Sequence, residues 1–236
     1  MEQHIGSKSG SERSLRIAVM LLVAASGALE SVSFLGLERV FAGVMTSNLA
    51  LLGMAVGRGE SVGVTAAVLA LAGFGLGVLI GAWYTRGSAT AATRWPRCVV
   101  VVLAAEAVLL AVGALVWGLT GGRPGETTRY VMQVGAGLAM GAQSAAMVAA
   151  GHTAAPTTYL TGTLATYIVK GVHGGRQGVW VPLRFAGLVV GAGVSAALLK
   201  EARAWAALPP VVLMLCALAV ACAPLGARRH GSAGRS

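Results

Sequence analysis

Charge is what this sequence lacks. Only 11% of its 236 residues are Asp, Glu, Lys or Arg, and eight of these are acidic. A soluble domain carries about 25% charged residues, because its surface must be wetted. A chain with less than half of that cannot cover a water-soluble globule. Cysteine is scarce as well. Cys98, Cys216 and Cys222 have no metal-binding spacing and read as small buried hydrophobes. The four histidines, His4, His152, His173 and His230, are scattered and form no ligand pair. No metal or cofactor is expected. Aromatics make up 6% and stud no basic surface on which bases could stack, so nucleic acid is not an expected partner.

What is present is apolar. Hydrophobic residues make up 56% of the chain and the mean hydropathy is +0.75. Windows of about 20 apolar residues recur, the length that crosses a hydrocarbon core of about 30 Å. The expected fold class is all-α: a polytopic integral membrane protein whose first partner is the lipid bilayer. The net charge of +10 fits that reading. Its Lys and Arg residues gather in tails and short connections, as at Lys8, Arg13 and Arg16, at Arg86, Arg94 and Arg97, and at Arg228, Arg229 and Arg235. The positive-inside bias and anionic headgroups select that distribution.

Six runs are long enough to span: Leu15–Leu37, Ser61–Tyr84, Cys98–Leu119, Tyr130–Gly151, Trp180–Leu199 and Trp205–Leu225. Trp83, Tyr84, Trp117, Tyr130, Trp180 and Trp205 fall at run ends, where amphipathic rings prefer the interface. The first run follows a polar, basic leader and has small residues near Ser26, the outline of a signal peptide. Apolar character resumes after Glu30, so it reads as a retained helix. Two shorter segments, Val40–Gly57 and Ala154–Val172, each carry a polar triplet inside an oily frame.

The chain also repeats itself. Gly27-Ala28 recurs as Gly141-Ala142, Ala72-Gly73 as Ala186-Gly187, and Gly77 as Gly191, all at an offset of 114. The triplets match at 115, Thr46-Ser47-Asn48 against Thr161-Gly162-Thr163. The organisation expected is a tail over 1–14, a first membrane repeat over 15–119, a linker over 120–129, a second repeat over 130–225 and a basic tail over 226–236. Repeats of this kind are common in secondary transporters, whose sites lie near midplane where short or interrupted segments meet.

Thr, Ser and Asn are favoured helix N-caps, because their oxygens accept hydrogen bonds from first-turn amides. Thr46, Ser47 and Asn48 therefore read as the start of a helix inside the membrane, with Thr161 and Thr163 likewise and Pro156 ending what precedes. Helix starts at midplane present free amides to an anion or polar solute. The alternative reading makes these residues plain interhelical contacts of about 1 kcal/mol each. Glu30 stands within the first span on the face of Ser26 and Ser33. An intramembrane carboxyl costs about 3 kcal/mol to insert and is a functional candidate by default. Glu106, amid Val, Leu and Ala, is a second candidate carboxyl, and Gln143 could supply a neutral contact near the Glu30 region. Gly73, Gly77 and Gly81, with Gly187 and Gly191, lack the strand–turn–helix setting of a nucleotide loop and read as close-packing positions. Ser144 and His152 are eight residues apart with no third orienting group, so no hydrolase is indicated.

The stretch GALESVSFLGLERVFAGVMTSNLALLG resembles the first signature of the YoaK-like bacterial membrane proteins, a domain of unknown function. Gly27, Glu30, Phe34, Leu35, Gly36, Phe41, Met45, Thr46 and Asn48 carry the likeness, and TTYLTGTLATYI is similar to that family's repeated Thr-Gly motif. The family usually has Asp at the position of Glu30 and Gly at that of Ser47. The resemblance implies a bacterial inner-membrane protein with several spans. The function expected is a permease for a small molecule or ion, with a membrane scaffold or sensor as the alternative. Two topologies remain open, eight spans if the short segments cross and six if they re-enter. Both place twelve of the 18 Lys and Arg residues on the side of the termini, the expected cytoplasmic face.

Overall fold

The structure, a computed structural model, describes residues 2–87, 95–151, 160–173 and 178–223, with side chains from residue 12 onward. All regular structure among these residues is helical. The order is α1 (Glu2–Gly36), α2 (Met45–Arg58), α3 (Ser61–Thr85), α4 (Arg97–Leu119), α5 (Glu126–Ala150), α6 (Leu160–Val172), α7 (Trp180–Glu201), a 3-10 turn (Arg203–Trp205) and α8 (Leu208–Cys222). Six helical stretches are long and apolar enough to cross a membrane. Helices satisfy every backbone polar group internally, which hydrocarbon demands. The expected Trp205–Leu225 run is divided, because Pro209 and Pro210 lack the amides a helix interior needs and instead open α8.

Two parallel helix pairs form the centre. α3 lies along α5 and α1 along α7, and these are the most extensive contacts in the molecule. Glycine permits both. A Cβ placed on Gly77 would strike the carbonyl of Leu138, and one on Gly141 that of Phe74. In the other pair, Gly191 meets the carbonyl of Ala24 and Gly27 that of Leu188. Moving each partner by 114 residues turns the first pair of contacts into the second. Lipid tails are as apolar as Leu, so bare backbones packed closely supply the dispersion that burial supplies in water.

Contact order fixes the helix directions. Gly187 and Gly191 meet Met20 and Ala24 in ascending order, and Gly73 and Gly77 meet Val134 and Leu138 likewise. Ser26 pairs with Gln143 and Ser33 with Gln133, so α1 and α5 are antiparallel. Leu109 lies beside Gly135 and Val116 near Thr128, which sets α4 against α5. Ala207 and Pro210 lie near Val32 and Leu37, so α8 starts where α1 ends. Thus α1, α4 and α7 run one way, and α3, α5 and α8 the other. Gly36 and Ser61 then share a face, as do Ala150 and Trp180. Neither α2, about 21 Å long, nor α6, about 20 Å, crosses. The helix directions match the six-span alternative, with six candidate spans among the described residues.

Three expectations need correcting. Trp117 is not at an interface: it is fully buried beneath Gly36, and its indole N–H donates to the Arg203 carbonyl at 2.7 Å. Cys216 and Cys222 are exposed on the outer surface and not buried, while Cys98 is half-buried. Both errors have one origin. A span apolar all round does not mark which face meets neighbouring helices.

Two outcomes test this arrangement. Gly77→Ala should cost about 1–3 kcal/mol in thermal unfolding in detergent, because its methyl meets rigid backbone. Gly75→Ala, where nothing lies within 4 Å, should be neutral or gain up to about 1 kcal/mol. For topology, single cysteines at Arg13, Arg58 and Arg86, with the three native cysteines replaced by Ala, report sidedness to an impermeant maleimide. Arg13 and Arg86 should label from one face and Arg58 from the other. Arg13 and Arg58 labelling from the same face would mean that α2 crosses.

Candidate functional site

Between α1 and α2 the chain leaves helical geometry. Arg39 adopts a left-handed backbone at φ 57°, and residues 37–44 fold back along α1 to the level of Glu30. Irregular backbone at this depth survives only where its polar groups find partners in the protein. Glu30 Oε2 accepts from the Ala42 amide and Oε1 from the Gly43 amide, both at 2.8 Å. Asn48 Oδ1 accepts from the Phe41 amide at 2.8 Å, and its Nδ2 donates to the Phe41 carbonyl at 2.7 Å. Ser33 Oγ lies 2.7 Å from the Val40 carbonyl and 2.8 Å from the Gln133 side-chain amide. A hydroxyl has one proton, so Ser33 donates to Val40 and the Gln133 nitrogen donates to Ser33, with the amide turned accordingly. Phe34 and Phe41 stack at 4.7 Å between ring centres and close the fold-back. A Cβ on Gly43 would lie 3.0 Å from Glu30 Oε1 and 3.1 Å from the end of Met140, close contacts that those side chains would have to relieve.

The expected N-cap role of Thr46, Ser47 and Asn48 is corrected by this geometry. The cap of α2 is Val44, without a side-chain hydrogen bond, and the helix begins at Met45. Asn48 points back to the chain before the helix, one turn out of register with capping. Thr46 is exposed and Ser47 half-buried, neither with a side-chain hydrogen bond among the described residues. Thr161 is exposed and Thr163 half-buried within α6. Since α2 packs on α3 and α6 on α7, the structure does not bring the two triplets together. Pro156 and His152 lie outside the described residues.

What it does bring together is a polar column between α1 and α5. Ser26, Glu30 and Ser33 stand at i, i+4 and i+7 on one face of α1. Gln143 Nε2 donates to Ser26 Oγ at 3.1 Å at one end, and Gln133 meets Ser33 at the other. Gln133, Gln143, Ser26 and Ser33 are buried, while Glu30 between them keeps partial exposure. Above the fold-back lies a vestibule of about 740 Å³, lined among others by Phe34, Glu38, Val40, Arg58 and Glu60. At its rim Glu38 is bonded to Arg129 Nε, tying the fold-back to the start of α5. Gln133 and the Glu38–Arg129 pair were not foreseen. The signal for Gln133 was available: it precedes Gln143 by ten residues, almost three turns, on one face of a single span. Glu106 is elsewhere, buried within α4.

Comparison with known proteins places this geometry in a family. Residues 18–220 match the family described as "Protein of unknown function (DUF1275)". The chain belongs to that family. It is 35% identical over 148 residues to the UPF0700 transmembrane protein YoaK of Bacillus subtilis (strain 168), which covers 63% of each chain. The aligned part thus spans somewhat less than two thirds of that relative. No solved structure matches. The multi-pass membrane character read from composition agrees with this membership.

Glu30→Gln tests the backbone role directly. It turns one acceptor into a donor facing an amide, so it should cost about 1–3 kcal/mol and speed hydrogen exchange at Ala42 and Gly43. Asn48→Ala should cost a similar amount through Phe41. Thr46→Val should stay within about 0.5 kcal/mol of the parent in the same unfolding assay.

Proposed function

We propose that this protein is a secondary permease for a small molecule or ion, set in the bacterial inner membrane with both termini cytoplasmic. In this reading it is a duplicated molecule with two inverted halves, α1–α4 and α5–α8. The paired glycine contacts at a shared offset of 114, the opposed directions of α1 and α5 and the duplicated sequence support that plan. Inverted halves with broken membrane segments are a recurrent transporter plan.

One observation carries the proposal. A largely buried carboxyl within the first span holds the amides of a re-entrant segment, close to an open vestibule. Such an arrangement couples a proton to a conformational change. Adding a proton to Glu30 occupies one of its acceptor oxygens, loosens Ala42 and Gly43, and frees the fold-back to move along the polar column. In this reading, movement of the fold-back is what opens the column to the vestibule, whose wall includes Phe34 and Val40 but none of the column's polar side chains. Gln133, whose far amide atom has no partner among the described residues, supplies a contact for a solute.

A second reading, a scaffold or sensor that transports nothing, is favoured by a different observation. Both Glu30 oxygens and the Asn48 amide are already bonded to the chain's own backbone. Reconstitution separates the two. Liposomes holding the purified protein and a pH-sensitive dye are exposed to pools of organic acids, amines, sugars and inorganic ions. The permease reading expects at least one pool to drive proton movement, lost in Glu30→Gln under conditions where that variant is folded, and kept in Thr46→Val. A parent protein that moves no proton with any pool, and whose melting temperature no pool shifts, would support the scaffold.

A further inference from the structure

Glu106 is the tenth residue of the 23 in α4, about 14 Å along a helix about 35 Å long, which sets it near mid-membrane. It is 2% exposed, and neither carboxyl oxygen has a hydrogen-bond partner among the described residues. Glu30, by contrast, has its donors supplied by backbone. A buried carboxylate without donors or a cation carries a penalty of several kcal/mol, so the neutral acid is the form this setting selects. Beside Glu106 lies a cavity of about 280 Å³ between α3, α4 and α5. Gly81, Leu138, Ala139 and Ala142 are among its lining residues, and Glu106 is the one acidic residue there, its two oxygens covered from the open space. Ile80 and Trp83 at its edge are exposed on the bundle's outer surface, so the cavity opens sideways towards acyl chains.

We propose that this cavity is a lipid-accessible binding site for a hydrophobic monoamine, held by Glu106. The amine enters from the bilayer as the neutral free base. The acid proton of Glu106 then passes to the amine nitrogen, leaving a carboxylate–ammonium pair with no net charge added to the membrane interior. The ammonium supplies the donors that both oxygens lack, and the hydrocarbon body fills the apolar wall. A cavity of 150 Å³ holds benzene, so this volume suits a ligand of roughly ten heavy atoms. Headgroup amines are excluded by depth, since they sit about half a bilayer away. This site is separate from the polar column and does not depend on transport.

The test uses the full chain in phosphatidylcholine nanodiscs with cyclohexylmethylamine as probe. Cyclohexylmethanol, alike in shape but without a basic nitrogen, is the comparison. Dicyclohexylcarbodiimide reacts with protonated carboxyls in apolar surroundings, and peptide mass spectrometry locates the product. The amine should raise the melting temperature and slow labelling of Glu106 about tenfold at ten times its Kd, with the alcohol much weaker. Glu106→Gln should fold and lose the amine-specific shift. Ala105→Leu, which narrows the cavity and leaves the carboxyl in place, should weaken amine binding as well. Equal protection by amine and alcohol, an amine-specific shift that survives Glu106→Gln, or no effect on either readout would overturn the site. Protection at Glu30 in place of Glu106 would also overturn it, and would direct the amine to the polar column.

Discussion

The structure depends on one constraint: backbone amides and carbonyls inside hydrocarbon must be bonded, and residues 37–44 are not helical. Each unpaired group at that depth costs several kcal/mol, comparable with a large share of a domain's stability. Glu30, Ser33 and Asn48 satisfy Val40, Phe41, Ala42 and Gly43 between them. Remove those three side chains and the chain would have to straighten or unfold locally. The placement of α2, the vestibule above it and the partial exposure of Glu30 all follow from the fold-back being held where it is. The same requirement explains why Glu30 and Ser33 share the face of α1 on which the fold-back lies.

Around that centre the bundle is held by absence of side chains. Gly27, Gly77, Gly141 and Gly191 each sit against a carbonyl of the facing helix. In water a glycine inside a helix costs about 1 kcal/mol against alanine. In lipid that cost is offset by contact between whole backbones, which no larger residue permits. The helices of each parallel pair meet mainly through apolar and glycine contacts. The antiparallel contact of α1 with α5, made through Ser26, Ser33 and the two glutamines, ties one parallel pair to the other with hydrogen bonds.

Much of this was legible in the sequence, and the part that was not has a common cause. Length and hydropathy marked the six spans, and the four-residue glycine spacing marked the close contacts. Glu30 stood out because a charge in a span is costly. The triplet at 46–48 stood out too, but its use was misread. Local preference assigned Asn48 to cap its own helix, whereas it bonds Phe41, seven residues earlier. A reversal of the chain decides that choice, and no short window of sequence contains it. Trp117, Cys216 and Cys222 were misplaced for a related reason. Where every side chain is apolar, composition does not distinguish neighbour from lipid, and only the packed structure does.

The two intramembrane glutamates show how far residue type falls short of role. Both stand near midplane in apolar helices and cost about the same to insert. At Glu30 a break in the neighbouring chain supplies two amides, so the carboxyl is part of the architecture before it is anything else. At Glu106 the facing helices are unbroken and spend their amides on themselves, so nothing among the described residues answers the carboxyl. A group that stabilises its own scaffold needs no ligand to account for it. An unanswered buried carboxyl carries a desolvation cost that the described chain does not offset, and that is the cost the proposed amine would offset.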